Sequence, residues 1–339
     1  MNKHPHNTTA LSTVSPAYML FTLAMLSGIL MTISAHSWFS MWMGLELNLF
    51  GFIPIIMATS SNQEKEAACK YFLAQATPSA IFLVCIVLAP QFQPSSTLLA
   101  LAVLMKLGAA PCHQWFPSVM NGMAWPQSWA LVTVQKIAPF FLLVQTTNSA
   151  TNLLMLAAAL SSLTGGIGGM NHTLLRPIIA YSSIGHMGWM IAAMLVSNNT
   201  ATLYLLSYIM IVSTTILVIT LLKLTSINLS SPIIKHPAML LILTISFMNM
   251  GGLPPLFGFF IKATVMSVLT HSTLIILLPP LILGSVMNLY YYLKVVFMNS
   301  LETPAQHVIL KQLSQPTQFT LPILFSLSVA SATAALSLF

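Results

Sequence analysis

The sequence predicts an all-α fold: a polytopic membrane bundle of about eleven helices, two of them broken. Three observations carry that expectation. Hydrophobic residues make up 57% of the chain and charged residues only 4%, with a mean hydropathy of +0.87, whereas soluble domains carry about 25% charged residues. Apolar runs of about 20 residues, long enough to cross a hydrocarbon core of about 30 Å, follow one another with short polar joints through 339 residues. Two of those runs are interrupted by glycine and proline, each close to a lysine that hydrocarbon does not tolerate unpaired. Residues 1–339 therefore read as a single transmembrane domain, beginning with a polar tail over residues 1–16.

Taken in order, the spans fall near 17–35, 38–58, 67–89, 95–111, 127–146, 149–170, 176–196, 200–223, 238–268, 272–298 and 319–338. The tail, MNKHPHNTTALSTVSP, resembles neither an Arg-rich transit peptide nor a signal peptide, so the first run is expected to be retained. The fourth run lies in LLALAVLMKLGAAPCHQWFP (98–117), where Lys106 is followed by Gly108 and Pro111. Proline has no N–H and clashes with the carbonyl four residues back, so the freed backbone groups must find partners in protein or trapped water. Residues 112–126 are too short and too polar to cross again and are expected to form a re-entrant or interfacial piece, anchored by Trp115 and Trp125. The ninth run is too long for one crossing and is broken at Gly251, Gly252, Leu253, Pro254 and Pro255. Because the two broken runs are five helices apart, they cross in opposite directions. That is the footprint of an inverted repeat, which transporters use to build a site at the midplane. The symmetry is imperfect, since Lys106 precedes its break and Lys262 follows its own.

Charge sets the orientation. With the amino terminus on side one, the joints there hold Lys3, Lys65, Lys70, Arg176, Lys223, Lys235, Lys294 and Lys311, and the joints on side two hold no lysine or arginine. Side one is thus cytoplasmic, or matrix in a mitochondrion. Glu46, Lys106, Lys136 and Lys262 are left with no joint to occupy. At about 1.5 Å per residue, the first three lie about 12–16 Å inside their spans, near the middle of the bilayer.

A net charge of +7 does not point to nucleic acid, because the basic residues are scattered singly along membrane runs. Cys69, Cys85 and Cys112 lack the CxxC spacing of a zinc or iron–sulfur site, so no metal is expected and they read as small apolar packers. The chain has no aspartate to complete a Ser-His-Asp set, no phosphate loop and no histidine pair spaced for haem. Gly165-Gly166-Ile167-Gly168-Gly169 follows no strand and reads as close helix packing.

What buried charges can do is move protons. Desolvation disfavours a charged amine and a nearby carboxylate favours it, so displacing one charge loads or unloads the other. A row of such groups at one depth, bridged by hydroxyls and water, is a relay of the kind pumps use. Thr133, Gln135, Tyr181, Ser182, Ser183 and His186 are candidate bridges, and His113 reads as structural beside Trp115. A standalone cation/proton antiporter would place carboxylates at the midplane, where only Glu46 is available. A purely structural subunit has no reason to keep three buried lysines.

The segments HSWFSMWMGLELNLFGFIPI, KYFLAQAT (70–77), MKLGAAPCHQWFP (105–117), VQKIAP (134–139), AYSSIGHMGW (180–189) and GGLPPLFGFFIK (251–262) together resemble the antiporter-like membrane subunits of mitochondrial NADH:ubiquinone oxidoreductase, respiratory complex I. The resemblance covers most of the chain, in order. It implies a subunit that translocates protons while redox chemistry proceeds elsewhere. Glu46 would then be the coupling glutamate, Lys106 and Lys136 the central relay lysines, and Lys262 the terminal lysine toward the outlet. It also implies the shortened animal form that lacks the first three helices of its bacterial relatives. NADH, FMN, iron–sulfur clusters and ubiquinone would be bound by other subunits, with no cofactor on this chain and no activity of its own. The implied partners are other hydrophobic membrane-arm subunits, accessory subunits and membrane lipids such as cardiolipin, in the mitochondrial inner membrane with the amino terminus toward the matrix.

Overall fold

The structure, a computed structural model, describes residues 16–58, 61–88, 95–147, 149–222, 224–226, 237–254 and 256–301. Among the described residues every regular element is helical, and an isolated bridge between Leu174 and Ser226 is the only strand-like pairing. The helices are α1 (Pro16–Ser34), α2 (Trp38–Ile56), α3 (Asn62–Leu88), α4 (Ser95–Leu107), α5 (Trp115–Gly122), α6 (Trp125–Val132), α7 (Val134–Thr146), α8 (Thr151–Gly169), α9 (Leu175–Val196), α10 (Asn198–Leu222), α11 (Pro237–Gly251), α12 (Phe257–Thr270) and α13 (Leu278–Leu301). Eight helical segments are long and apolar enough to cross a membrane, with α6 and α7 acting as one. Shorter apolar helices stand where the broken spans were expected: Ser96–Leu107, Leu241–Gly251 and Phe257–Thr270. The expected span 319–338, the tail before Pro16, Pro255, Lys3, Lys223, Lys235 and Lys311 lie outside the described residues.

Helix α9 is the axis of the bundle, buried along nearly its whole length and packed against α8, α10, α12, α13 and α5. The glycine-rich stretch of α8 explains its closest approach. A Cβ on Gly165 would meet the Gly185 backbone nitrogen at 2.4 Å, and one on Gly188 would meet the Ala158 carbonyl at 2.7 Å. Small residues let two backbones touch where lipid supplies no hydrophobic drive to hold helices together.

Both expected breaks are present, and both close in the same way. Leu107 ends α4, Gly108 takes φ +70°, and the N–H groups of Gly108 and Ala109 donate to the carbonyls of Met105 and Leu104 at 3.2 and 3.1 Å. At the end of α11, Gly252 takes φ +78°, and Gly252 and Leu253 donate to Asn249 and Met248 at 3.2 and 3.4 Å. This is the Schellman closure, in which a left-handed residue, almost always glycine, satisfies the last carbonyls of a helix. Pro111 and Pro254 follow within three residues and prevent the helix from resuming at once. A milder interruption falls at Thr133, between α6 and α7.

One expectation is corrected. Residues 112–126 were expected to form a re-entrant or interfacial piece, yet α5 continues in the direction of α4, as its levels along α3 record. The Lys106 carbonyl accepts from Gln75, the Trp115 ring lies 6.0 Å from that of Tyr71, and Gly122 abuts Gln63 and Ala67. Phe116, Pro117, Val119 and Met120 are buried as it goes. The segment was too short to cross alone, but α4 had already covered half the distance.

These contacts also fix the ends of the bundle. Arg176 donates to the Asn121 carbonyl at 3.1 Å, near the first turns of α3 that carry Lys65 and Lys70. At the same end, the last glycine of α8, Gly169, abuts Tyr291, three residues before Lys294. The described side-one cations therefore share one end.

Candidate functional site

Three elements bring the buried charges of the first half together. Ser37 caps α2 by accepting from the Ser40 N–H at 3.2 Å, which starts the helix that carries Glu46. The Schellman turn stops α4 one residue after Lys106. Glu46 and Lys106 form an ion pair at 3.5 Å, with the lysine side chain 3% exposed and the glutamate 18%. The amine is enclosed and the glutamate is half-buried, with the Oε1 that faces the amine itself buried.

The carbonyls freed at the break are answered by side chains. Trp115 Nε1 donates to the Met105 carbonyl at 3.1 Å, and Gln75 Nε2 donates to the Lys106 carbonyl at 3.1 Å. Trp115 thus acts as a staple across the break rather than as an interfacial anchor. Next to it, Asn48 and Gln135 form a reciprocal amide pair, with Asn48 Nδ2 donating at 2.7 Å and Gln135 Nε2 donating back at 3.1 Å. The Tyr71 hydroxyl adds a third bond, donating to Gln135 Oε1 at 3.3 Å. These groups surround a cavity of about 20 Å³ that is lined by both Lys106 and Lys136. A single water needs about 10–15 Å³ of such space together with polar partners, so one water fits.

Lys136 faces the cavity from α7 and is 2% exposed. Its Nζ donates to the Ser183 carbonyl at 3.3 Å and the Tyr208 hydroxyl at 3.2 Å, and lies 5.3 and 4.8 Å from the ring centroids of Phe116 and Tyr208. Beyond Tyr208 comes His186, with ring centroids 5.3 Å apart, and His186 Nδ1 shares a 2.9 Å hydrogen bond with the Tyr204 hydroxyl. His186 is within electrostatic reach of both Lys136 and Lys262. Lys262 is 5% exposed and donates to the Gly251 carbonyl at 2.8 Å, so this lysine closes the last carbonyl of its own broken helix. Asn249 Oδ1 accepts from the Gly258 N–H at 2.9 Å and starts α12.

Lys106 and Lys136 therefore share one pocket, Glu46 is tied to it through its ion pair with Lys106, and His186 continues the line through Tyr208. Lys262 makes no direct contact with the other charges. Three expected bridges fall elsewhere: Tyr181 stacks on His172 at 5.2 Å, Thr133 donates to the Trp129 carbonyl, and Ser182 donates to the Ile179 carbonyl. His113 is held by the Pro111 carbonyl at 3.1 Å, as its structural reading expected. Asn48, Tyr71, Tyr204 and Tyr208 were missed. The spacing of Tyr204 and Tyr208 by four residues on one face of an apolar span was the available signal.

Comparison with known proteins bears on the family and the fold. A family described as NADH:quinone oxidoreductase/Mrp antiporter matches residues 35–94 and 89–288. NADH-ubiquinone oxidoreductase chain 2 of Crocidura suaveolens gueldenstaedtii and that of Oryctolagus cuniculus are each 38% identical over 296 residues, which is 84% of this chain and 85% of theirs. A chain in the structure of respiratory complex I from Thermus thermophilus superposes with a TM-score of 0.80 at 23% identity, over 93% of this chain and 77% of that one. At that identity the superposition speaks for the fold.

Proposed function

The chain belongs to the NADH:quinone oxidoreductase/Mrp antiporter family, and from that membership we propose that it is a proton-translocating membrane-arm subunit of respiratory complex I. It works beside other membrane-arm subunits, the redox chemistry belongs to other subunits of the complex, and it has no activity of its own. The observation that carries the reading is the single-water cavity lined by both Lys136 and Lys106, the latter ion-paired with Glu46. A cavity of that size lets a proton pass between two amines by hopping through the water while excluding a continuous leak. Tyr208 and His186 extend the route toward Lys262. The matching Schellman breaks of α4 and α11 support an inverted repeat.

The coupling role is tested by Glu46→Gln, which keeps the size of the side chain and removes its charge. Assembled complexes should persist and pump at least threefold fewer protons per NADH, measured in sealed vesicles. Full pumping by assembled Glu46→Gln complexes refutes the role.

The amino terminus faces the matrix in this reading, and the inner mitochondrial membrane is the site of assembly. Cysteines introduced at Asn199 and Ser272 should react with an impermeant thiol reagent only from the side opposite Arg176 and Lys294. Labelling of either from the Arg176 side overturns the topology.

A further inference from the structure

A second, larger cavity has no part in the relay. It is a cleft of about 380 Å³ at the side-one end, where α3 and α9 begin and α5 ends. Helix α3 contributes Glu66 and Lys70, paired at 2.6 Å, and α9 contributes Arg176. A guanidinium carries five N–H donors. The Asn121 carbonyl takes one, from Nη1 at 3.1 Å, the Trp125 ring lies 5.5 Å away, and the buried Nε has no hydrogen-bond partner among the described residues. Ser118 and Asn121 of α5 add exposed polar side chains to the lining. The cleft thus offers two cations, one carboxylate and donors to spare. The face of α3 that carries Glu66 and Lys70 also continues inward: Leu73 lies three residues beyond Lys70 and Val84 eleven beyond Leu73, on the same side of the helix, and they are 64% and 56% exposed. A surface that is charged for one turn and apolar from there on is patterned to run from the headgroup layer into hydrocarbon.

We propose that the cleft is a binding site for the headgroup of phosphatidylethanolamine, with the phosphate between Lys70 and Arg176, the ammonium on Glu66 and the acyl chains along the apolar part of the α3 face. The site needs this end of the bundle to lie at a membrane surface and is independent of the relay. Basic pockets between transmembrane helices on the cytoplasmic or matrix side are where lipid headgroups bind, and the planar fork of arginine suits phosphate because it meets two oxygens at once. Glu66 selects among headgroups. Its carboxylate repels one that carries negative charge alone, and it finds no N–H donor on the trimethylammonium of choline. A primary ammonium supplies both the charge and the donors. Docking opens the Glu66–Lys70 pair, which is exposed and joins residues one turn apart, a kind of pair that contributes little; each partner then receives an opposite charge in exchange.

The test uses the intact complex, washed free of phospholipid in detergent and returned to sealed vesicles with side one outward. Ser118→Cys reports on the cleft, and Asn171→Cys, exposed in the turn after α8 at the same end and outside the cleft, is the reference. An uncharged, membrane-impermeant maleimide is added, and modification at each position is followed by peptide mass spectrometry, which keeps native cysteines apart. The expected result is that Ser118→Cys, relative to Asn171→Cys, reacts at least fivefold more slowly in vesicles of phosphatidylethanolamine and phosphatidylcholine than in phosphatidylcholine alone, and that Glu66→Gln abolishes the difference. Equal protection by phosphatidylglycerol, or protection that survives Glu66→Gln, overturns the recognition of the ammonium. Equal protection of phosphatidylcholine vesicles by soluble glycerophosphoethanolamine overturns the lipid as occupant. Absence of protection by phosphatidylethanolamine, or a Ser118→Cys that does not react in phosphatidylcholine, overturns the site.

Discussion

Complexes carrying Lys136→Met will assemble at the parental level and pump at least tenfold fewer protons per NADH oxidised. Lys136 is enclosed by two rings, donates to one carbonyl and one hydroxyl, and among the described residues forms no ion pair. Methionine keeps most of the stem volume and removes the titrating group, so no unpaired charge is left in the core. The groups it abandons, the Ser183 carbonyl and the Tyr208 hydroxyl, cost about 1–3 kcal/mol if left unsatisfied, too little to dismantle a bundle this extensively buried. A structural pin would survive the change, because bulk and packing remain. A relay would not, because nothing in methionine gains and loses a proton. Lys136→Arg should fail as well, since a guanidinium retains its proton throughout. Proton-to-electron ratios in vesicles, beside the amount of assembled complex on native gels, decide the matter; the role is falsified if Lys136→Met pumps like the parent or if its only defect is lost assembly.

Gly165→Val should have a large effect of the opposite kind. The branched side chain has to enter where even a Cβ would sit 2.4 Å from the Gly185 nitrogen and 2.7 Å from the Gly185 Cα and the Tyr181 carbonyl. All three atoms are backbone or Cα of α9, so no side-chain rotation makes room and the two helices must separate. Overpacking a core costs about 1–3 kcal/mol where side chains can yield, and occasionally more; here the neighbouring atoms belong to the axis of the bundle. Assembled complex should fall at least tenfold relative to the parent. Whatever assembles should keep its proton-to-electron ratio, because Gly165 lines neither cavity. Parental assembly would show that α8 and α9 approach less closely than described.

The fold was largely legible because hydrocarbon enforces few rules and enforces them strictly. Run length placed the helices, the cation split placed their ends, and glycine followed by proline placed both breaks. The buried charges were legible for the same reason, since Glu46, Lys106, Lys136 and Lys262 stood out against an apolar ground. Neutral partners were not. Asn48 and Gln135 are amides of the kind that scatter through membrane helices, and nothing in a linear chain says that two such groups 87 residues apart will bond to each other. Tyr181 and Tyr208 look alike in sequence, yet one stacks on a histidine and the other contacts Lys136. Continuation of α4 into α5 was hidden because a crossing split by a bent turn has two halves that each look too short.

The Asn48–Gln135 pair has a consequence for motion. Glu46 and Asn48 are two residues apart on α2 and at about 3.6 residues per turn point about 160° apart around its axis. One holds Lys106 of α4 and the other holds Gln135 of α7, so α2 is clasped from two sides. Turning the helix to swing Glu46 away from Lys106 would tear a doubly bonded, buried amide pair out of register. The half-buried carboxylate can leave its partner by changing its own χ angles while the helix stays in place. A rotamer change of one side chain is faster than displacement of a packed helix, which takes microseconds to milliseconds. Charge separation at Glu46 is therefore a fast rotamer event on a static helix, and slower steps in turnover have to arise elsewhere.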